Sequence, residues 1–283
     1  GDDEIPADDE AARLWEAVGV PADRIYRLGR KDNYWQMGDT GPQGPCSEIH
    51  FYPLDPDPSM WSQARVAESD GWLEIWNLVF MQFERAEVDA PLVPLPKPCV
   101  DTGAGLERLA MVLQGKSSTY DTDLFAGLMA DVSALCPEGS APAETSLRVI
   151  ADHARATAFL VADGVQPANE GRGYVLRRIM RRAIRHGKLI GMEELFLHRA
   201  CAAVVTRMAH AYPDLARGAA LIEKVATNEE TSFRRTLTRG LDLLDAELDR
   251  SRTLEPEFVA KLYDTYGFPI DLTRVIAAEH GVA

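Results

Sequence analysis

The stretch Val100–Ala110 constrains the fold most, because an acid, two closely spaced glycines and an arginine follow one another within it. A proline-bounded apolar approach ends at Asp101, and Gly103 and Gly105 come next. Apolar residues at 106, 109, 110 and 113 then have helical spacing. Arg108 falls in the first helical turn, where the helix dipole disfavours a cation. The pattern indicates a ligand site in which Arg108 binds an anion and Asp101 a cation. A strand, a turn and a helix with a surface arginine is the alternative.

A second constraint is the run from Trp72 to Arg85, which is rich in β-branched and aromatic residues and predicts a central strand. Alternation places Asn77 and Val79 on one face of this strand. Glu74 and Asn77 need partners there, because a buried polar group without one costs about 2–7 kcal/mol. A satisfied core asparagine is the alternative to a ligand-binding one.

The rest of the first half is less regular. We predict a helix at 8–18, strands at 23–28 and 47–52, an exposed loop at 53–71, and short helices at 106–114 and 121–135. The small residues of 137–145 indicate a linker between residues 1–136 and a helical domain at 146–283. In that domain we predict helices at 147–163, 174–190, 193–212 and 221–250. A helix end, a Gly-Pro turn and a final helix follow.

The predicted helix Tyr174–Ile190 carries five arginines on one face and apolar residues on the other. The arginines are Arg177, Arg178, Arg181, Arg182 and Arg185. Like charges four residues apart repel one another, so an anion is expected to compensate them. The net charge of the chain is −14. Residues 146–190 nevertheless carry +6, which leaves −20 on the others and favours a polyanion at this face.

Composition excludes several classes of protein. Hydrophobic residues make up 46% and charged residues 26%, as in an ordinary globular chain. The four cysteines form no Cys-x-x-Cys pair, and there is no His-x-x-x-His, so neither zinc nor a disulfide framework is expected. No apolar run is long enough for a membrane span, and we expect no signal peptide. The chain begins with Gly1 rather than Met, which suggests a piece of a longer protein.

Four blocks, in order, resemble the alanyl-tRNA synthetases. The blocks are Asp32–Pro42, Glu74–Phe83, Val100–Arg108 and Arg172–Arg178. The third is similar to motif 3 of class II synthetases. The resemblance runs from about residue 10 to the end of the chain. It implies an α+β fold, in which part of a class II antiparallel sheet (1–136) precedes an all-α tRNA-recognition domain.

The resemblance also implies a reaction and its residues. The family activates alanine with ATP as alanyl-adenylate and then transfers it to tRNA. By position, Arg108 resembles the arginine that binds the ATP γ-phosphate, with Gly105 beside it, and Asp101 the acid that holds the alanine ammonium. These two are the expected catalytic residues. The wall of the alanine pocket would be Trp35, Asn77, Val79 and Gly103. Glu74 is the expected Mg²⁺ ligand.

For RNA, the resemblance implies that Asn169 and Asp264 recognise the G·U wobble pair of the tRNA(Ala) acceptor stem. The five arginines would then hold phosphates, which position a nucleic acid without reading its sequence. A cytoplasmic protein with no membrane partner is expected.

The sequence departs from the family in ways that limit what it can do. No counterpart of motif 1, motif 2, the editing domain or the C-terminal domain is found, so we expect little or no adenylation by this piece alone. The family's Gly-Pro-Cys-Gly-Pro-Cys reads Gly41-Pro42-Gln43-Gly44-Pro45-Cys46 here. A non-catalytic tRNA-binding paralogue is the alternative function, and the complete pocket set argues against it. A biotin-ligase-like protein does not account for the arginine helix.

Overall fold

The chain divides into two compact units, Gly1–Thr122 and Asp123–Ala283. The computed structural model describes residues 4–282 apart from 53–61, 63–70, 252, 267 and 269. The predicted loop at 53–71 lies almost wholly outside the described residues. The first unit contains an antiparallel sheet and the second is helical. The α+β fold predicted from the resemblance is therefore confirmed.

The first unit is built on four strands in the order β1-β2-β3-β4. They are β1 Tyr34–Gln36, β2 Gly41–Phe51, β3 Leu73–Arg85 and β4 Val93–Ala104. Every neighbouring pair is antiparallel. The apolar strand predicted at 72–85 is β3, and it lies between two others as expected. Only Val79 of this strand is buried, so its two faces are less covered than the sequence suggested.

The proline-bounded approach forms β4 at the sheet edge. Its prolines, Pro94, Pro96 and Pro98, cannot donate ladder hydrogen bonds, which an edge strand tolerates. Strand β4 continues through Gly103, so the turn between this strand and the next helix, α3 (Leu106–Leu113), is confined to Gly105. That residue caps helix α3.

The helices of the first unit are short, and one predicted strand is absent. Helix α1 is Asp9–Ala17, α2 is Arg30–Asn33 and α3 is Leu106–Leu113. The strand predicted at 23–28 is wrong. A 3₁₀ turn at Ala22–Arg24 follows Pro21 instead, and the backbone N–H of Leu28 donates to Asn33 Oδ1 at 2.9 Å rather than to a strand.

The second unit is a bundle of seven helices within the described residues. They are α4 Ala126–Ser133, α5 Glu144–Ala162, α6 Gly171–Leu189, α7 Leu197–Met208, α8 Pro213–Ser251, α9 Pro256–Tyr266 and α10 Ile270–Glu279. Helix α5 packs on α6, α7 and α8. Its buried side chains include Ile150, Ala154 and Ala158. Among the described helices, none is both long and apolar enough to cross a membrane.

The boundary between the units comes earlier than the predicted linker at 137–145. It falls between Thr122 and Asp123, because α4 packs on α5 and α7. Leu128 and Val132 of α4 are fully buried in that contact layer. The predicted linker therefore connects two helices of one unit. The assignment of tRNA recognition to residues 146–283 stays a prediction.

Candidate substrate and RNA sites

Strand pairing brings four of the predicted pocket residues into two neighbouring rows of the sheet. Asn77 is the register partner of Gly103, and Val79 that of Asp101. Directly paired residues of antiparallel strands project to the same face. An amide, a small apolar side chain, a carboxylate and a glycine therefore share one face, as the sequence predicted for Asn77 and Val79.

The rows extend onto β2, where they reveal a residue that the sequence analysis missed. Glu48 pairs with Asn77, whose Nδ2 donates to Glu48 Oε1 at 3.1 Å. The other carboxylate oxygen lies 2.9 Å from His50 Nε2, and the Glu48 side chain is only 14% exposed. Asn77 Oδ1 is buried and has no hydrogen-bond partner among the described residues. The sequence did contain a sign of this role, because Glu48 is a carboxylate within the strand predicted at 47–52.

Cys46 is buried beside this group, in register with Val79. Burial raises the pKa of the Cys46 thiol to about 11, and the charge of Glu48 acts in the same direction. The thiol therefore stays neutral at physiological pH, which does not suit a nucleophile.

Gly103 leaves space over the sheet. A Cβ atom built there meets no atom within 4 Å. The neighbouring Asp101 is exposed, and one of its oxygens accepts from the backbone N–H of Thr102 at 2.9 Å. The second oxygen and the open volume at Gly103 could receive a small ammonium-bearing ligand.

Arg108 and Glu74 meet where α3 begins. Arg108 Nη1 donates to the backbone oxygen of Glu74 at 2.6 Å and lies 3.8 Å from its Oε2. The two side chains are 45% and 38% exposed, so guanidinium donors remain accessible to an anion. Gly105 lets Arg108 pack closely against the backbone, since a Cβ there would lie 3.1 Å from Arg108 Cδ and the side chain would have to shift by a few tenths of an ångström.

Glu74 is also the residue expected to bind Mg²⁺. No group of three or more His, Cys, Asp or Glu side chains that could hold a metal is found in the described part of the chain. Glu74 offers a single accessible carboxylate. That suits Mg²⁺, which commonly keeps several waters and binds through one or two carboxylates and substrate phosphates.

Trp35 is the pocket residue farthest from the others in the sheet. It lies on β1, in register with Gly44, and β2 separates it from β3. The structure does not place it in the rows that hold Asn77 and Val79. Its role in the pocket stays a prediction.

The arginine helix of the sequence is α6, and an acid within the protein compensates part of its charge. Arg181 Nε lies 2.8 Å from Glu229 Oε1, and Arg177 Nε lies 3.4 Å from Glu229 Oε2. Arg185 is buried. The expectation that all five arginines form one surface is therefore wrong, because the predicted faces took no account of acids on α8. Arg178 and Arg182 are exposed, together with Arg172.

Of the two residues expected to read the wobble pair, only Asn169 has a side chain that the structure describes. Asn169 is exposed just before α6, and its Oδ1 accepts from Arg177 Nη1. Asp264 belongs to α9, but its side chain lies outside the described ones.

Comparison with known proteins gives the family. A model described as "tRNA synthetases class II (A)" matches residues 3–283. Alanine–tRNA ligase of Anaeromyxobacter dehalogenans is 54% identical over 309 aligned positions, which cover 99% of this chain and 34% of the relative. That of Myxococcus xanthus is 54% identical over 295 positions, with 100% and 33% covered. The chain spans about a third of the length of the curated relatives it matches. The chain therefore belongs to the family of class II (A) tRNA synthetases.

Proposed function

We propose that this chain is part of an alanine–tRNA ligase, which activates alanine with ATP and attaches it to tRNA(Ala). The observation that carries the proposal is the pairing of Asn77 with Gly103 and of Val79 with Asp101 on one face of the sheet. This arrangement offers the exposed carboxylate of Asp101 to an ammonium group, beside a volume that Gly103 leaves open. Similarity to named alanine–tRNA ligases supports the same assignment.

The residues would act by positioning and by charge. Asp101 would hold the alanine ammonium and Asn77 would form part of the pocket wall, while Val79 limits the size of the side chain that fits. Arg108 would bind the terminal phosphate, because a guanidinium offers two parallel donors to phosphate oxygens. Mg²⁺, held by Glu74, would neutralise phosphate charge. Adenylate formation requires such alignment rather than a protein nucleophile.

The helical unit would bind the acceptor stem of the tRNA. Exposed Arg172, Arg178 and Arg182 would contact phosphates, and Asn169 with Asp264 would read the G·U wobble pair. We place this function in the cytoplasm, where translation uses aminoacyl-tRNA. We also expect the 283-residue piece to be a weak or inactive catalyst by itself, because no counterpart of motif 2 is found in it.

Binding of a non-hydrolysable alanyl-adenylate analogue, an alanyl sulfamoyl adenosine, tests the substrate site without requiring turnover. Calorimetry should show binding by the wild-type chain, and Asp101→Asn should weaken it by about 1.5–3 kcal/mol, the worth of a hydrogen bond to a charged group. Asp39→Asn, a change of the same kind at an exposed carboxylate, should leave the affinity unchanged. Equal affinities for the Asp101 and Asp39 variants would contradict the proposed role.

A non-catalytic tRNA-binding paralogue predicts another outcome. Such a protein would bind the acceptor-stem RNA through the basic helix but would not bind the alanyl-adenylate analogue. The same calorimetric measurement, repeated with an RNA hairpin, therefore separates the two functions.

A further inference from the structure

We infer that Glu229 is a positioning residue for RNA recognition. It holds Arg177, and Arg177 in turn fixes the amide of Asn169 so that its Nδ2 group acts as a hydrogen-bond donor to the RNA. The inference rests on the proposed function, since it takes Asn169 to contact the acceptor stem.

Glu229 begins this chain of contacts on α8. Glu229 is only 7% exposed. Its Oε1 lies 2.8 Å from Arg181 Nε, and its Oε2 lies 3.4 Å from Arg177 Nε. A buried carboxylate must be paired, because removing a partner leaves an uncompensated charge. The Arg181 guanidinium also lies over the Phe233 ring, 4.8 Å from its centroid. This contact helps to hold the ion pair of Arg181 with Glu229 in place. Glu229 therefore restrains Arg177 from the protein side by an ion pair, in which Arg177 Nε makes no hydrogen bond to a described residue.

Arg177 carries the restraint to the surface. Its Nη1 donates to Asn169 Oδ1, and its Nη2 donates to the backbone oxygen of Pro167 at 3.4 Å. A guanidinium has donors only, so the oxygen of the Asn169 amide must face it and the nitrogen must face away. Within the described residues, Asn169 Nδ2 has no hydrogen-bond partner.

This orientation decides what Asn169 can recognise. A free asparagine offers both a donor and an acceptor, but here the acceptor is engaged by Arg177. The ligand group must therefore be an acceptor. In the shallow minor groove of an RNA helix these are the pyrimidine O2, the purine N3 and the ribose 2′-hydroxyl.

Fluorescence anisotropy with two RNA hairpins tests the inference. One hairpin carries the alanine tRNA acceptor stem with its G·U pair, and the other has G·C at that position. The wild-type chain should prefer the wobble hairpin. Glu229→Gln should reduce the ratio of the two affinities by about fivefold or more, as expected for a lost base contact. Affinity for the G·C hairpin should change by less than about twofold, because phosphate contacts carry no sequence information.

Two further variants make the experiment specific. Glu223→Gln changes an exposed acid on the same helix and should keep the wild-type ratio. Asn169→Asp keeps the oxygen that faces Arg177 but replaces the Nδ2 donor with a second oxygen. It should lose the preference. If Glu229→Gln fails to fold, Arg177→Lys takes its place, since the single ammonium nitrogen of a lysine cannot reproduce contacts that Arg177 makes to Glu229, Asn169 and Pro167 through three separate nitrogens.

The outcomes distinguish recognition of the wobble pair by this chain from the positioning role of Glu229. A wild-type chain without a wobble preference would overturn the proposed recognition and this inference with it. A wild-type preference that survives in Glu229→Gln, in its Arg177→Lys substitute or in Asn169→Asp would overturn the inference alone.

Discussion

Among single residues, Gly103 and Gly105 are two positions apart but should respond differently to an added methyl group. A Cβ at Gly103 meets nothing within 4 Å, whereas one at Gly105 lies 3.1 Å from Arg108 Cδ. Gly103→Ala should leave the free energy of unfolding within about 0.5 kcal/mol of wild type. It should still weaken binding of the alanyl-adenylate analogue, because the methyl group occupies the space beside Asn77. Calorimetry and thermal unfolding check both parts.

Gly105→Ala provides the comparison for that experiment. It should displace Arg108 and so lower the affinity for ATP more than the affinity for alanine. Unchanged analogue binding by Gly103→Ala would show that the open volume is not the alanine site.

Glu48 should contribute to both stability and binding. It accepts from Asn77 Nδ2 at 3.1 Å and lies 2.9 Å from His50 Nε2. Glu48→Ala leaves these partly buried groups without their acceptor, which should cost about 1–3 kcal/mol in urea unfolding. Analogue affinity should fall as well, since the Asn77 amide is no longer oriented. Glu84→Ala, at an exposed position on β3, should change neither quantity. A Glu48→Ala protein as stable as the Glu84→Ala protein would contradict this role.

On the scale of elements, the sequence predicted what local spacing determines and missed what distant residues determine. The apolar run at 72–85 predicted a strand between two others, and β3 confirms it. The arginine spacing predicted one amphipathic helix, which is α6. It could not show that Arg181 pairs with Glu229, which is 48 residues away. The strand predicted at 23–28 was wrong for a similar reason, because a short apolar run becomes a strand only where a neighbouring strand pairs with it.

The arginines of α6 should therefore fall into two groups in RNA binding. Arg178 and Arg182 are exposed, and Arg185 is buried. Arg178→Ala and Arg182→Ala should weaken wobble and Watson–Crick hairpins alike, and each should lower the slope of log K against log salt by about 1. Arg185→Ala should instead lower the free energy of unfolding and leave that slope unchanged. Salt titrations and urea unfolding distinguish the groups, and one salt slope for all three variants would refute the division.

For the whole molecule, the candidate site shows how far sequence reasoning reaches. The resemblance supplied Asn77, Val79, Asp101 and Gly103, and the register of β3 with β4 brings these residues together. It did not supply Glu48, because that partnership depends on the pairing of β2 with β3. The arginine in the first turn of α3 is disfavoured by the helix dipole, which drew attention to the position, and its role stays a prediction. Its contact with the Glu74 backbone could be known only from the folded chain.

The two compact units differ in how many hydrophobic residues they bury. In the first unit the buried hydrophobic residues are few among those described: Ile5, Ala12, Cys46, Val79 and Met111. The second unit buries many more, including Ile150, Leu176, Met180 and Phe233. Since apolar burial contributes about 25 cal/mol per Å², the second unit should be the more stable.

Hydrogen exchange followed by mass spectrometry should show this difference. Amides of α5 and α6 should exchange slowest, and those of the edge strand β4 much earlier, because local opening free energies follow buried contacts. Residues 123–283 expressed alone should unfold cooperatively at the temperature of the later transition of the full chain. Glu230, fully buried and bonded to the backbone N–H groups of Phe196 and Leu197, provides the control. Glu230→Ala should lower that transition and leave the earlier one in place. A single transition for the full chain, with residues 123–283 unfolded in isolation, would show that the second core depends on the first.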